Sequence, residues 1–504
     1  MQIDARSQQR SVAFKWTGLL LICLSIIYGA FLTKTYFWDG VLSALNIEGV
    51  RCGELPYTVL FHQNHLLYSA LGYVLYDAAL GLNLQIRAVT VLQILNVCAS
   101  LAATWVLFAL IKRCTRSQRI GLFGATLFAF GATWWKFSTD TDTYILAVLF
   151  LVLAVFFALD SPPRIFPTAV CHVMAMLLHE LAVFTYFPLL VSIALECRWS
   201  KGKRFWTACA YSGVTGACVT AAYAACYSSQ DHAAYPSLFA WITNYPSDSG
   251  FTRSFGQLVN ANLSSFIKLF VGGKLSLIRD YFSVTVGFAL ALAIGMCIYA
   301  VILLRSRGQF EVTYRDSRAL AIFWAWLIPC AIFLASWDPG VTHHKLFIWP
   351  AIVLLVASYL ASRRSLQQHA PALTALVIAM AAWNFGAFIY PHSHASADPV
   401  LTLAQKIDRE LPKNAIVYYR ALDPDDWYLD YFAPGRNWRK VSGSHDLRRI
   451  RESSSSGRRV CLETTALQEL ERNSTQISIL PIDPKLRWEL VNNRHNVRLE
   501  CLKQ

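Results

Sequence analysis

Long apolar runs, separated by short polar segments, dominate the first 390 positions of the chain. A helix needs about 20 apolar residues to cross roughly 30 Å of hydrocarbon, and shorter runs suffice where the bilayer thins. We count the short and nearly continuous fifth and sixth runs as a pair, which makes eleven predicted spans. They cover residues 16–33, 86–111, 120–137, 143–159, 165–178, 181–195, 205–226, 281–304, 319–335, 346–361 and 371–390.

The distribution of Lys and Arg predicts how these spans are oriented, because positive residues concentrate in cytoplasmic loops. With the N-terminus inside, the inner loops hold 18 Lys and Arg. The outer loops before residue 391 hold 9 over a greater length, counted with Arg87 and Lys136 at the outer ends of their spans. Merging the fifth and sixth runs would move the basic segments 198–204 and 305–318 outside. We therefore predict about eleven transmembrane helices, with the N-terminus inside and the C-terminus outside.

Three outer segments follow from this orientation: a first loop at 34–85, a second loop at 227–280, and a tail from residue 391. The tail holds 18 of the 45 Lys and Arg and 15 of the 31 Asp and Glu. We predict a transmembrane domain over 1–390 and a small extracytoplasmic α/β domain over 391–504. Its β-like runs are 415–419, 427–432, 459–463 and 477–480.

Composition supports a membrane protein and excludes an ordinary soluble enzyme. Hydrophobic residues make up 55% of the chain and charged residues only 15%, whereas soluble domains are about 25% charged. The thirteen Cys include no CxxC pair, so no zinc ribbon or thioredoxin motif is predicted. We expect a multi-pass protein of the plasma or inner membrane that contacts lipids and does not bind nucleic acid.

The first outer loop carries an acidic residue and two histidines close to the membrane. Asp39 follows the first span in the aromatic segment 36–40, and His62 and His65 lie further along in 61–68. Desolvation at the hydrocarbon boundary raises the pKa of a carboxyl group and suits it to accept a proton. Alternatively, Asp39 ends a helix in water.

Two carboxylates, Asp140 and Asp142, stand between the third and fourth spans. At this spacing they could share a divalent metal, or Asp142 could cap the fourth helix. Capping does not account for Asp140. Asp140 is therefore a candidate for a role in a site.

Ionisable residues also separate the fifth and sixth spans and precede the tenth. His179 and Glu180 lie between two apolar runs, where an ionisable group is costly unless it meets a cavity or a partner. A turn at the water surface is the alternative. His343, His344 and Lys345 open the tenth span and could bind a phosphate or a metal, although Lys345 could simply extend to the interface.

The second outer loop offers rival cations for a phosphate. Arg279 is the basic residue nearest the eighth span, and further cations precede it in the loop: Arg253, Lys268 and Lys274.

These clusters belong to four outer loops, and the orientation places all of them at one membrane face. A channel or transporter tends to place ionisable residues inside its spans, at the midplane. No Asp, Glu, Lys or Arg occupies the middle third of any of the eleven runs. A surface site that acts on an extracytoplasmic substrate is therefore favoured.

The sequence resembles the GT-C superfamily of integral membrane glycosyltransferases. The resemblance rests on Asp39, the histidine segment 61–68, the acidic pair Asp140 and Asp142, the short fifth and sixth spans, and the outer C-terminal domain. The first loop is most similar to that of the protein-mannosyltransferase and aminoarabinose-transferase branch. That branch has His-Pro-Pro-Leu, whereas residues 62–65 here read His-Gln-Asn-His.

The resemblance implies transfer of a sugar from a polyprenyl-phosphate donor to a hydroxyl of a lipid, glycan or protein acceptor at the outer face. Asp39 would be the general base of an inverting displacement, and Asp140 and Asp142 would orient the acceptor or hold a metal. Orientation without metal is the role that we prefer, because the branch that the sequence most resembles generally works without metal. Lys345, with His343 or His344, would hold the donor phosphate, and no cofactor is otherwise expected. A transporter or flippase of lipid-linked sugars and a non-catalytic scaffold are the alternatives.

Overall fold

The computed structural model describes residues 2–230, 232–233, 235–243, 254–304, 316–363, 368–420, 425–435, 437–441, 446–455, 458–473, 482–491 and 496–503. The chain divides into two units. The first comprises Met1–Thr33 and Asn46–Pro391, and the second comprises Lys34–Leu45 and His392–Gln504. The predicted domains, 1–390 and 391–504, stay a prediction; the structure groups the short segment after the first apolar run with the second unit.

The first unit is helical. Its helices, with α2 shared between the two units, are α1 Gln2–Ala30, α2 Trp38–Arg51, α3 Tyr68–Gly81, α4 Ala88–Thr115, α5 Gln118–Phe130, α6 Ala132–Ser138, α7 Tyr144–Ala158, α8 Ile165–Leu178, α9 Tyr186–Ala194, α10 Lys201–Tyr227, α11 Leu238–Ile242, α12 Phe255–Phe270, α13 Leu275–Asp280, α14 Val284–Leu304, α15 Ser317–Trp337, α16 Trp349–Ala361, α17 Ala370–Asn384 and α18 Tyr390–His392. Three 3-10 helices, Tyr57–Leu60, Glu180–Thr185 and His343–Phe347, lie between them, and Phe385–Ile389 forms a π-helical turn.

Helices occupy all eleven predicted runs. Four of the described helices are long and apolar enough to cross a membrane: Ala88–Thr115, Val284–Leu304, Ser317–Trp337 and Ala370–His392. Five further apolar helices are shorter: Trp16–Ala30, Tyr144–Ala158, Ile165–Leu178, Glu180–Ala194 and Trp349–Ala361. The number of crossings and their orientation stay predictions.

Local sequence explains where several helices begin and break. The side chain of Ser200 caps α10 by accepting from Lys203 N at 3.2 Å, and free backbone N–H groups at a helix start favour such a cap. Gly131 separates α5 from α6, where an added Cβ would lie 2.8 Å from Trp349. The fifth and sixth runs are separated at His179, whose backbone is extended.

Buried side-chain amides and indoles join the helices of this unit. Asn384 Nδ2 donates to the carbonyl oxygens of Phe130 and Phe270, at 3.0 and 2.7 Å. Trp349 Nε1 donates to Phe128 O at 3.1 Å. These bonds satisfy carbonyls at the ends of α5 and α12, which would otherwise be costly to bury.

The second unit contains a mixed sheet flanked by helices. Its described strands are β1 Ile416–Tyr419, β2 Asn437–Lys440, β3 Val460–Glu463, β4 Ile482–Val491 and β5 Asn496–Leu502, in the spatial order β2-β1-β3-β5-β4. β1 is parallel to β2 and β3, and β5 is antiparallel to β3 and β4. Its helices are α19 Pro399–Glu410, α20 Asp425–Phe432, α21 Asp446–Ser455 and α22 Thr464–Asn473, after a 3-10 turn at Ala395–Ala397.

Alternation along the central strands gives this sheet two buried faces. Val417 packs with Leu403 and Leu429 on one face, while Ile416 packs with Ile450 on the other. Helices therefore cover both faces, as expected of an α/β layer. A disulfide between Cys461 and Cys501 joins β3 to β5.

The structure tests three of the β-like runs predicted in the tail. Residues 416–419 and 460–463 are strands, within the predicted 415–419 and 459–463. The prediction for 427–432 is wrong, since these residues belong to helix α20. Its aromatic residues recur at helical spacing, at 427–428 and 431–432. The run 477–480 lies outside the described residues.

Candidate active site

The loop between α6 and α7 carries the two predicted carboxylates, and both are buried. Lys136, four residues before Asp140, donates from its Nζ to Asp140 Oδ2 at 2.5 Å. The other carboxylate oxygen, Asp140 Oδ1, accepts from Thr141 N at 2.8 Å. Asp142 Oδ1 accepts from Thr143 N at 2.6 Å. Asp142 therefore accepts from the amide of the residue that follows it. It does not form the predicted cap, because α7 has no side-chain hydrogen bond at its N-terminal cap position.

Three of the predicted histidines meet around Tyr144 at the start of α7. The ring of Tyr144 lies 4.8 Å from that of His179, 5.1 Å from His343 and 6.0 Å from His344, measured between centroids. His344 also stacks on Trp337 at 5.1 Å. Segments about 160 residues apart in sequence are therefore brought to the α6–α7 loop. We call His179, His343, His344, Tyr144 and Trp337 the histidine cluster.

The imidazoles of the histidine cluster are neutral near pH 7. Burial lowers the pKa of His344 to about 3 and moves the pKa of His179 and of His343 well below their usual range. Neighbouring positive charges act in the same direction, Lys345 on His344 and Lys136 on His343. His179 Nδ1 accepts from Leu181 N at 3.2 Å, so its proton lies on Nε2, which is a donor.

His62 and His65 form a stacked pair beside this cluster. Their rings lie 4.5 Å apart at 18° in a tight turn of the first loop. Burial lowers the pKa of His62 to about 4 and that of His65 to about 3, so both are neutral. Glu180 N donates to Asn64 O at 3.1 Å, which ties this turn to the start of the 3-10 helix.

Lys345 is buried and held by neutral oxygens. Its Nζ donates to Ser265 Oγ and, at 2.7 Å, to Pro339 O, and it lies 5.1 Å from the ring centroid of Phe266. Burial lowers the pKa of Lys345 to about 8, while the charge of Asp338 opposes this shift. The side chain therefore remains mostly charged at pH 7, but it does not extend to a surface.

The remaining predicted cations do not join this cluster in the part of the chain that the structure describes. Arg279 is exposed on α13, and its Nε pairs with Asp280 at 2.9 Å. Lys268 and Lys274 are exposed as well, and Arg253 lies outside the described residues.

Asp39 belongs to the second unit, where it stands in the first turn of α2. Its neighbours pack on helix α20: Tyr36 stacks on Phe432 at 5.5 Å and Trp38 on Trp427 at 5.8 Å. Tyr428 OH also donates to Tyr36 O. Burial raises the pKa of Asp39 to about 6, which is the direction expected of a carboxylate suited to accept a proton.

Sequence reasoning missed several residues that hold this site. Lys136 enters the sequence analysis only as a charge at the end of a span, although it precedes Asp140 by four residues at a helix end, a spacing at which opposite charges can pair. Tyr68 and Asn96, which bond the backbone of 140–142, carry no charge, so a search for ionisable residues passes over them.

The described residues give no support to a metal site at the acidic pair. Among the described residues, no three His, Cys, Asp or Glu side chains are arranged to hold an ion. Asp140 is bound to Lys136 instead, and this ammonium occupies the carboxylate oxygen that a shared divalent ion would need.

Comparison with known proteins identifies the fold. No protein-family model and no curated protein matches the sequence. Among solved structures, ArnT from Cupriavidus metallidurans bound to undecaprenyl phosphate matches with a TM-score of 0.60 at 12% identity, covering 97% of this chain and 98% of that chain. ArnT in the apo state matches over the same shares with a TM-score of 0.46 at 10% identity.

An identity of 12% shows the fold alone, and this chain has the fold of ArnT. The resemblance stated from the sequence is therefore confirmed as a likeness of fold.

Proposed function

We propose that this chain is a membrane glycosyltransferase that uses a polyprenyl-phosphate-linked sugar as donor. The observation that carries the proposal is the fold shared with ArnT along 97% of the chain, in a structure of ArnT that holds undecaprenyl phosphate. The clustering of the predicted site residues supports it, since neutral imidazole donors beside carboxylates are suited to bind sugar hydroxyls.

The proposed reaction is a direct displacement at the anomeric carbon. The acceptor oxygen attacks on the side opposite the donor phosphate, the bond from the anomeric carbon to the phosphate oxygen breaks, and polyprenyl phosphate leaves with that electron pair. Asp39 takes the proton of the acceptor hydroxyl, and the configuration at the anomeric carbon inverts. A pKa of about 6 leaves Asp39 mostly ionised at pH 7 and able to accept this proton.

Lys345, with His343 or His344, is the proposed site of the donor phosphate. Its Nζ bonds neutral oxygens, whereas Lys136 and Arg279 each form an ion pair with a carboxylate, Asp140 and Asp280. A phosphate near Lys345 would therefore meet a charge that is less compensated. Fixed cations in a site that excludes water stabilise a leaving phosphate strongly.

The extracytoplasmic location of the site is also a proposal. The 18 to 9 division of basic residues between inner and outer loops supports it. The disulfide between Cys461 and Cys501 in the second unit supports it independently, because disulfides persist mainly in oxidising compartments outside the cytosol.

Transfer can be tested with purified protein in liposomes and a panel of polyprenyl-phosphate sugars. Mass spectrometry should detect sugar-free polyprenyl phosphate and a glycosylated acceptor, and Asp39→Asn should lower turnover by about 100-fold or more. Movement of intact donor between leaflets without release of polyprenyl phosphate would favour a flippase instead. Near-normal transfer by a folded Asp39→Asn protein would exclude this residue as the base.

A further inference from the structure

Helix α4 carries a row of polar side chains inside an otherwise apolar span. Gln93, Asn96, Ser100 and Thr104 recur at intervals of three or four residues, on one helix face, and each is at most 1% exposed. Polar side chains within a membrane span are expected to bond to other protein groups, since lipid offers no partners.

The first two members of this row bind the loop that carries the carboxylates. Asn96 Nδ2 donates to the carbonyl oxygens of Asp140 and Asp142, at 2.9 and 2.6 Å. Gln93 Nε2 donates to Thr139 O at 2.8 Å.

Tyr68 completes the set. Its hydroxyl donates to Thr141 O at 2.6 Å and also accepts from Asn96 Nδ2 at 3.3 Å. Four consecutive carbonyls, 139–142, are thus bound by three buried side chains.

Fixing these carbonyls also fixes the amides that hold the carboxylates. Each peptide group is planar, so a bound carbonyl sets the direction of the following N–H. The N–H groups of Thr141 and Thr143 donate to Asp140 Oδ1 and Asp142 Oδ1. The backbone and both acidic side chains are therefore held in one arrangement before any ligand arrives, which lowers the entropy cost of orienting a substrate.

We propose that Asn96 and Tyr68 are positioning residues, which act on sugar transfer by holding the Asp140 and Asp142 carboxylates. The inference rests on the proposed function, and neither residue touches the substrate. Asp140 is paired with Lys136 and accepts a hydrogen bond from Thr141 N. The effect of either substitution on sugar transfer should therefore appear through this side chain.

The test compares Asn96→Leu and Tyr68→Phe with Thr104→Val in the intact protein. Thr104 lies on the same helix face, but among the described residues its hydroxyl bonds only Ser100 O, within α4. We expect each of the first two variants to lower kcat by about 10-fold while KM for the donor changes by less than about 3-fold. The Thr104→Val control should change neither quantity.

A second measurement separates positioning from general loss of structure. If Asn96 acts through Asp140, Asn96→Leu should have little further effect on kcat in an Asp140→Asn protein. Full additivity of the two substitutions would overturn the proposal, and so would unchanged kcat in folded Asn96→Leu and Tyr68→Phe proteins. Should Asn96→Leu fail to fold, Tyr68→Phe, which removes a single oxygen, decides alone.

Hydrogen exchange distinguishes failure of this inference from failure of the proposed function. If the unchanged protein releases no polyprenyl phosphate, the proposed function is rejected. The rate of hydrogen exchange in the peptide covering 139–143 would then show by itself whether Asn96 holds this loop. We expect exchange there to quicken by about 5- to 10-fold in Asn96→Leu and to stay unchanged in Thr104→Val. Unchanged exchange in Asn96→Leu would overturn the inference.

Discussion

Replacing Asp39 by Asn should remove transfer activity and, at neutral pH, stabilise the folded protein. Burial raises the pKa of Asp39 from 3.8 to about 6, so folding favours the neutral acid over the carboxylate. Because one pKa unit corresponds to about 1.4 kcal/mol, the charged carboxylate costs up to about 3 kcal/mol in the free energy of unfolding. This is an upper value, since Asp39 is half-buried and water screens part of the effect.

The raised pKa also fixes how this stabilisation depends on pH. Below pH of about 3.8, the folded and unfolded chains both carry the neutral acid, so Asn and Asp should be equally stable. Between that value and pH of about 6, the folded chain binds more protons than the unfolded chain, so the Asp39 protein loses stability as pH rises. Above pH of about 6, the full advantage of Asn should be present.

Activity and stability should therefore change in opposite directions. We expect kcat/KM of the unchanged protein to fall about tenfold per pH unit below pH 6, as the base is protonated, and this fall should vanish in Asp39→Asn. Unfolding midpoints in detergent at pH 4, 6 and 8 measure the stability effect. Asp77→Asn, in an exposed ion pair with Arg51, is the matched control. An Asp39→Asn protein that is less stable at pH 8, or that keeps normal transfer, would refute the reasoning.

Three further predictions concern orientation, metal and phosphate. A reporter fused after Tyr390 should read as extracytoplasmic and one after Leu195 as cytoplasmic; a cytoplasmic signal after Tyr390 would contradict the proposed orientation. Chelation should leave transfer unchanged, because Lys136 binds Asp140, and an activity lost to chelator and restored by a divalent ion would contradict this. Lys345→Met should raise KM for the donor by about tenfold, more than Lys345→Arg; a strong rise in Arg279→Met alone would place the phosphate at the second outer loop.

The sequence predicted which residues lie at helix ends but not how closely they approach. Apolar runs locate the ends of helices to within a few residues, so His179, Tyr144 and Trp337 could each be placed at a boundary. Which boundaries become neighbours depends on the packing of helices distant in sequence. The approach of His343 to Tyr144 at 5.1 Å is therefore a result of the structure.

Uncharged polar residues are the main part of the candidate site that the sequence did not predict. Asn96 and Gln93 occupy the first half of an apolar run, where averaging of hydropathy over many residues conceals them. Their importance comes from bonds to main-chain carbonyls, and every residue offers the same carbonyl. No pattern of side chains in the loop could therefore have indicated that Asn96 binds it.

The aromatic segment 427–432 shows why the second unit was predicted only in part. Aromatic residues favour strands in the absence of other information, yet here they lie on α20 and pack with Tyr36 and Trp38. These partners precede the helix by about 390 residues and adjoin Asp39. The same contacts that overrule the local preference for a strand hold the backbone around the proposed base. Tyr428→Phe should therefore weaken the hold on Tyr36 and lower kcat without abolishing it, whereas loss of donor binding in this variant would contradict the assignment of Asp39 to proton transfer.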